Sequence, residues 1–265
     1  MVRHEHILVE SANGVKTITL NRPEKRNALS PELIDELITA LEEATSCENN
    51  AVILTGAGPA FCAGLDVESL EAAQYRTPEQ NRRDAEKIAY VLRTLYVFPK
   101  PVIAAVNGPA IGSGMSLAIT AAFTLASPWA RFASNEVRMG FVPAVTASFL
   151  LRQIGEKRTR ELLLTGRMLK AQEAMQMGLV TEVVAAEELM QAAHSLAKTL
   201  LLNSPQAMQA LKQLLTSHSR RQLDEEIEEA IEVNAQQRLT ADFKEGVKAF
   251  LEQRRAEWPS LKGKA

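Results

Sequence analysis

The sequence is poor in the residues that mark the commonest kinds of protein chemistry. Two cysteines, Cys47 and Cys62, stand among 265 residues, too few for a disulfide framework, and no Cys/His spacing of metal-binding type occurs. Histidine is scarce as well. His4 and His6 fall where an N-terminal strand is predicted, and His194 and His218 fall in helical segments, so none is placed to activate a serine or cysteine nucleophile. Neither sign of charge dominates. The formal net charge of −2 and pI of about 6.2 give no case for nucleic acid or an anionic membrane surface as partner. No apolar run approaches the ~18 residues of a membrane span, and none follows His6 to make a signal peptide. With 46% hydrophobic residues and a mean hydropathy of −0.10, the chain can bury a large core, and a reduced, cytoplasmic protein is the expectation.

What is present concentrates in two glycine loops. Ala51–Thr55 is an apolar run that leads to Phe61-Cys62-Ala63-Gly64-Leu65-Asp66, and Val102–Val106 leads to Asn107-Gly108-Pro109-Ala110-Ile111-Gly112-Ser113-Gly114. Each loop is followed by residues able to open a helix. Two buried strands would deliver two loops to one sheet edge, where backbone N–H groups can face a bound anion. Two of them converging on one carbonyl oxygen would be an oxyanion hole. Nucleotide readings fail on detail: Leu117 occupies the place of the third glycine of a dinucleotide fingerprint, and no Gly-Lys-Ser/Thr occurs. Ser113 lacks the Gly-x-Ser-x-Gly elbow of a nucleophile.

The remaining pattern predicts an α/β chain. A hairpin over 5–10 and 15–20 turns at Asn13-Gly14, and Ser30-Pro31 starts a helix with an apolar stripe of Leu33, Leu37 and Leu41. Helices are expected over 66–73, 78–97 and 113–121, with strands at 102–106, 123–126 and from Ala130. Beyond 145 the chain reads as helical, broken at Gly155, Gly166 and Gly178, with a strand at Leu179–Val184. From Ser204-Pro205 a helical appendage carries Leu211, Leu214, Leu215, Ile227 and Ile231 at helical spacing. The acidic run Asp224–Glu229 reads as a solvated face.

Five stretches together resemble the enoyl-CoA hydratase/isomerase (crotonase) superfamily: Asn21–Leu29, Gly58–Asp66, Pro101–Gly114, Phe132–Pro143 and Ala174–Val180. The resemblance implies a crotonase-like spiral of ββα units over residues 1–200. It implies that residues 201–265 form a C-terminal helical trimerisation region that closes over CoA, in a homotrimer or a hexamer built as a dimer of trimers. It implies an acyl-CoA thioester substrate and no cofactor beyond the CoA that the substrate carries. By the same resemblance the backbone N–H groups of Leu65 and Ser113 hold the thioester oxygen. Lys25 and Arg26 lie toward the CoA phosphates, and Ala28, Ala63, Gly64, Asp66, Val67 and Gly112 fall in the cradle. Phe250 falls in a segment that closes over CoA from an adjacent subunit.

Glu136 matches one of the two glutamates of the hydratase members. Its flanks Phe132, Val137, Met139 and Phe141 suggest a partly buried carboxylate with a raised pKa. Ser116 occupies the place of the other glutamate, and Ala144 the site near Pro143 where some isomerases carry a carboxylate. Hydration of an enoyl-CoA and migration of its double bond by Glu136 alone are both open, and the resemblance of the stretch 134–144 to a hydratase branch of the family leans toward hydration. The competing class is a non-catalytic acyl-CoA-binding protein. A hydrolase or dehalogenase would need a carboxylate where Ala144 stands.

Overall fold

The computed structural model describes residues 4–218 and 220–262. Strands β1 (Ile7–Ala12) and β2 (Val15–Leu20) form the hairpin at Asn13-Gly14, both in positive φ. The two-residue turn pairs Ala12 with Val15 and carries the register to Ile7 opposite Leu20. The strand therefore starts two residues later than the sequence suggested, and His4 and His6 lie ahead of it. The carboxylate of Glu36 holds that entry, accepting from the N–H groups of His6 (2.9 Å) and Ile7 (3.1 Å).

Helix α1 (Pro31–Ser46) begins as its residues dictate: the Ser30 hydroxyl accepts from the Leu33 N–H (3.3 Å), and Pro31 takes the first helical position. Strand β3 (Ala51–Gly56), helices α2 (Val67–Ala73) and α3 (Pro78–Val97) and strand β4 (Val102–Val106) follow, α3 starting on a Thr77–Gln80 capping box. Next come β5 (Ala110–Ile111), α4 (Ser113–Thr120), β6 (Phe123–Ala126) and β7 (Arg131–Ala133). A single 3₁₀ turn, Glu136–Met139, leads to α5 (Ala144–Thr165), which Gly155 interrupts (φ +75°, ψ 170°). Strand β8 (Leu169–Lys170), helix α6 (Ala171–Gln176) and strand β9 (Glu182–Val183) complete the β part. The apolar run at 179–184 pairs over only those two residues of β9, against Leu125 and Ala126. Helices α7 (Leu189–Leu201), α8 (Pro205–Ser217), α9 (Arg220–Gln237), α10 (Ala241–Leu251) and α11 (Pro259–Lys262) follow.

A six-stranded sheet has the order β1-β2-β3-β4-β6-β9, parallel from β2 onward, and a three-stranded sheet has the order β5-β7-β8. Alternation along the central strands explains why their apolar runs are unbroken. Val52, Leu54, Val102, Ala104 and Val106 face α1, α3, α4 and α5, while Ile53, Ile103, Ala105 and Leu125 face α7. A parallel sheet covered on both sides has no polar face to show in its sequence.

The C-terminal helices return to this core. Leu223, Ile227 and Ile231 of α9 join the main hydrophobic cluster, while Glu225, Glu228 and Glu229 of the acidic run beside them stay exposed, as expected. Asp224 pairs with Arg93 (2.7 Å), Glu226 with Arg152 and Glu228 with Arg82, which fastens α9 to α3 and α5. Helix α8 differs: it has no buried residue, and Leu211, Leu214 and Leu215 are more than half exposed. Among the described residues no helix is long and apolar enough to cross a membrane.

Candidate active site

The two glycine loops are laced together. Cys62 and Ala110 form a parallel bridge, the Ile111 N–H donates to the Cys62 carbonyl (2.9 Å), and the Phe61 and Cys62 N–H groups share the Pro109 carbonyl (3.1 Å each). Their approach depends on missing side chains. A Cβ on Gly64, which has φ of +95°, would stand 2.8 Å from the Ile111 carbonyl, and one on Gly114 would stand 2.2 Å from the Cys62 carbonyl. Side by side at this seam lie Leu65 and Ser113. Ser113 opens α4, so its N–H points out of the helix without an intrahelical acceptor. Among the described residues neither the Leu65 nor the Ser113 N–H is given to any acceptor. Both residues line a cavity of about 530 Å³.

Glu136 stands over this seam on the 3₁₀ turn after β7, a turn closed by Gly140 in the left-handed region and by the Phe141 N–H on the Glu136 carbonyl (3.0 Å). Its Oε2 accepts from the Ser134 hydroxyl (2.8 Å), and its Oε1 would lie 3.3 Å from a methyl group on Gly112. Burial raises the carboxyl above the ordinary glutamate value, outweighing hydrogen bonds from its own N–H and from Ser134 that favour the ionised form. Val137, expected among the burying flanks, is instead exposed; Leu65, Phe141 and Val145 share the chamber with the carboxylate.

Of the residues the sequence assigned, Lys25, Arg26, Ala28, Ala63, Gly64, Leu65, Asp66, Val67, Gly112, Ser113, Glu136 and Phe250 all line this cavity. Asp66 also has structural work: it caps α2 through the Glu68 N–H (3.0 Å) and pairs with Arg22 (2.8 Å). Lys25 is half exposed and pairs with Glu68 (3.1 Å), so an anion at the mouth competes with that carboxylate for its ammonium. Phe250 of the chain's own α10 lines the cavity. That helix is docked against the Glu136 turn because Gly140 and Gly246 have no Cβ; one on Gly246 would meet the Met139 carbonyl at 2.2 Å. Cys62 is fully buried, which pushes its thiol up to about 12 and keeps it inert.

Ser116 stands behind the wall. It is fully buried on α4, with its hydroxyl 2.6 Å from that of Thr146 and 3.3 Å from the Gly112 carbonyl. Thr146, which no local pattern marks, does line the deeper chamber with Glu136. Ser116→Ala should leave the Thr146 hydroxyl without its partner and lower stability by ~1–3 kcal/mol, read as a fall in melting temperature. Turnover should change less than the ~100-fold that marks loss of a general acid or base; a larger fall would put the Ser116 hydroxyl in contact with the reaction.

Beside this cavity lie two smaller spaces, a chamber of about 20 Å³ that Glu136 also lines and one of about 50 Å³, with Leu65 lining all three. Two residues of the α9 region that sequence reasoning missed, Asn234 and Arg238, line the first chamber, and Arg238 lines the second as well. At the end of an amphipathic helix they carry no local signal.

Strands β3 and β4 thus bring two N–H groups without an acceptor among the described residues to one cleft with the Glu136 carboxylate. Comparison with known proteins gives the class. Residues 10–261 match the family model for enoyl-CoA hydratase/isomerase. The chain is 33% identical over 259 residues to the short-chain-enoyl-CoA hydratase of Clostridium acetobutylicum, covering 95% of this chain and 97% of the relative. It is 32% identical over 253 residues to the 1,2-epoxyphenylacetyl-CoA isomerase of Escherichia coli, covering 94% and 97%. The crystal structure of an enoyl-CoA hydratase/isomerase from Xanthobacter autotrophicus Py2 superposes with a TM-score of 0.89 at 28% identity, over 97% of this chain and all of that one. The chain belongs to the enoyl-CoA hydratase/isomerase family and has its crotonase fold. It is an acyl-CoA-processing enzyme, a lyase or an isomerase.

Proposed function

We propose that this enzyme adds water across the 2,3 double bond of an enoyl-CoA. The observation that carries the proposal is the Glu136 carboxylate, its pKa raised by burial, in one cavity with two N–H groups that have no acceptor among the described residues. The thioester oxygen sits between the Leu65 and Ser113 amides, which stabilise the enolate as its charge develops; one such donor is worth ~3 kcal/mol. Water attacks C3, Glu136 takes a proton from it, and the same carboxylic acid delivers a proton to C2. Water's hydroxyl and a hydrogen are thus added, and the carboxylate is restored. The Thr146 hydroxyl, which lines the same wall as Glu136, supports this reading, because it offers a water on that carboxylate a second polar partner. Lys25 and Arg26 at the mouth take the CoA phosphates. The chemistry calls for no cofactor, since proton transfer and an aligned pair of dipoles suffice.

A second reading rests on the position of Ser116. With that hydroxyl turned to Thr146, Glu136 can equally remove a proton from C2 of a 3-enoyl-CoA and return it at C4, shifting the double bond. Product analysis separates the two. Incubation with a 2-enoyl-CoA should yield 3-hydroxyacyl-CoA; a protein that only interconverts 3-enoyl and 2-enoyl isomers is an isomerase. A protein that binds acyl-CoA and neither reacts nor exchanges the α-proton with deuterium is the non-catalytic binder.

The exposed Leu211, Leu214 and Leu215 of α8 support assembly through the C-terminal region, as a homotrimer or a dimer of trimers. Sedimentation should give three or six times 29.1 kDa, and a monomer would remove this reading.

A further inference from the structure

We propose that the acyl pocket ends in an anion site built on Arg238, and that the substrates of this enzyme are short acyl-CoA esters carrying a carboxylate at the far end. The proposal rests on the reading of the cleft as an acyl-CoA site and names its substrate class.

Arg238 lies just past the C-terminal end of α9 and is 4% exposed. Its guanidinium lies over the Phe141 ring, 5.3 Å from the centroid, which covers a face and supplies no acceptor. Its Nη1 is 3.5 Å from Asp84 Oδ2, but that same oxygen is already taken by Arg76. One carboxylate therefore serves two guanidinium groups, and the Arg238 Nε has no hydrogen-bond partner among the described residues. Burial, with repulsion from Arg76 behind it, lowers the Arg238 pKa to about 10, still well above neutrality. The group stays charged, with only a share of the Asp84 carboxylate to match it.

A buried cation without a full complement of acceptors is costly, and chains retain one where a ligand completes it. The 50 Å³ chamber carries Arg76, Lys87 and Arg238 against the single carboxylate of Asp84. The partner of Lys87, Asp35 (2.6 Å), is outside that chamber's wall. Placement decides what the anion belongs to. Arg238 also lines the chamber that holds Glu136 and Ser113, with Ile88 and Leu65 common to both chambers. An acyl chain whose carbonyl is held at Ser113 runs past Glu136 between these apolar side chains and meets the guanidinium. Chambers of about 20 and 50 Å³ admit few methylenes, so the chain is short. A guanidinium fork suits a carboxylate, which it can bind through two N–H groups at once.

The test compares acyl groups that differ only at the far end. Wild-type enzyme should show a kcat/KM at least ~10-fold higher on hex-2-enedioyl-CoA than on hex-2-enoyl-CoA, and Arg238→Gln should collapse that ratio by ~10–100-fold, with Arg238→Lys restoring part of it. Equal or better efficiency on hex-2-enoyl-CoA in the wild type would overturn the proposal, as would a ratio unmoved in a folded Arg238→Gln. Calorimetry on the wild type with saturated hexanedioyl-CoA and hexanoyl-CoA gives a second readout that needs neither turnover nor a variant. Tighter binding of the diacid without turnover of any enoyl-CoA supports the anion site and removes the hydration reading. Equal binding of the two removes the anion site and leaves the reaction untouched.

Discussion

Glu136→Gln should lower kcat on an enoyl-CoA by ~10²–10⁴-fold, the range for loss of a general acid–base group, while acyl-CoA affinity changes little. Glutamine keeps the shape and can still accept the Ser134 hydroxyl now bonded to Oε2, so the loss would be that of a proton carrier and not of a packed side chain. Solvent-deuterium exchange at the α-carbon, followed by mass spectrometry, should vanish with it. A variant that keeps exchanging would remove Glu136 from the reaction. The pH dependence has a definite sign. Burial raises the pKa of Glu136, and the base must be ionised to take a proton, so kcat/KM should rise with pH through a value above that of ordinary glutamate. The stability dependence runs the opposite way. Between the ordinary and the raised pKa the folded state binds more protons than the unfolded one, so this group's contribution to stability falls as pH rises and levels off above the raised value. Glu136→Gln should lose that slope and melt higher than wild type at neutral pH. An unchanged melting profile would mean that the carboxylate is better hydrated than its position implies.

What the sequence revealed follows the range of the interactions involved. Both glycine loops were legible because strand, turn and helix start are local, and the residues that cradle the cavity sit within a few positions of them. Glu136 was legible as a matched position, and of the flanks expected to bury it Phe132 and Phe141 are buried while the 3₁₀ turn points Val137 outward. The acidic run of α9 is solvated at Glu225, Glu228 and Glu229 as its sequence suggests, but its partners, Arg82, Arg93 and Arg152, lie on α3 and α5, far away in the chain, and leave no local signal. Ser116 was placed by spacing from Ser113; three residues along α4 turn it from the cleft toward Thr146, and only the packing of α5 shows that. Arg238 is the extreme case. Its sequence neighbours describe a solvated helix end, and its meaning comes from Asp84 and Phe141, which tertiary structure alone brings to it.

Gly114→Ala should cost ~100-fold in kcat/KM without touching any group that contacts substrate. At Gly114 the added methyl would meet the Cys62 backbone carbonyl at 2.2 Å and the Cys62 Cβ at 2.8 Å, and a backbone atom cannot swing aside as a side-chain tip can. The start of α4 must move away from the 61–66 loop by about an ångström to relieve it, and displacements of that size at a reacting centre cost on the order of 100-fold. The Ser113 N–H moves with the helix while the Leu65 N–H stays with its loop, so the two donors no longer aim at one oxygen. Overpacking should lower stability by ~1–3 kcal/mol as well. The proton carrier is untouched, and this separates the variant from Glu136→Gln: α-proton exchange should slow in step with turnover, yet the pH at which the rate rises should stay where Glu136 sets it. At Gly155 and Gly178 a Cβ would meet nothing within 4 Å, so any loss in those variants reflects only their positive φ and offers a matched control. Full activity in Gly114→Ala, with folding intact, would mean that the loops tolerate separation and that the thioester oxygen is not held between them.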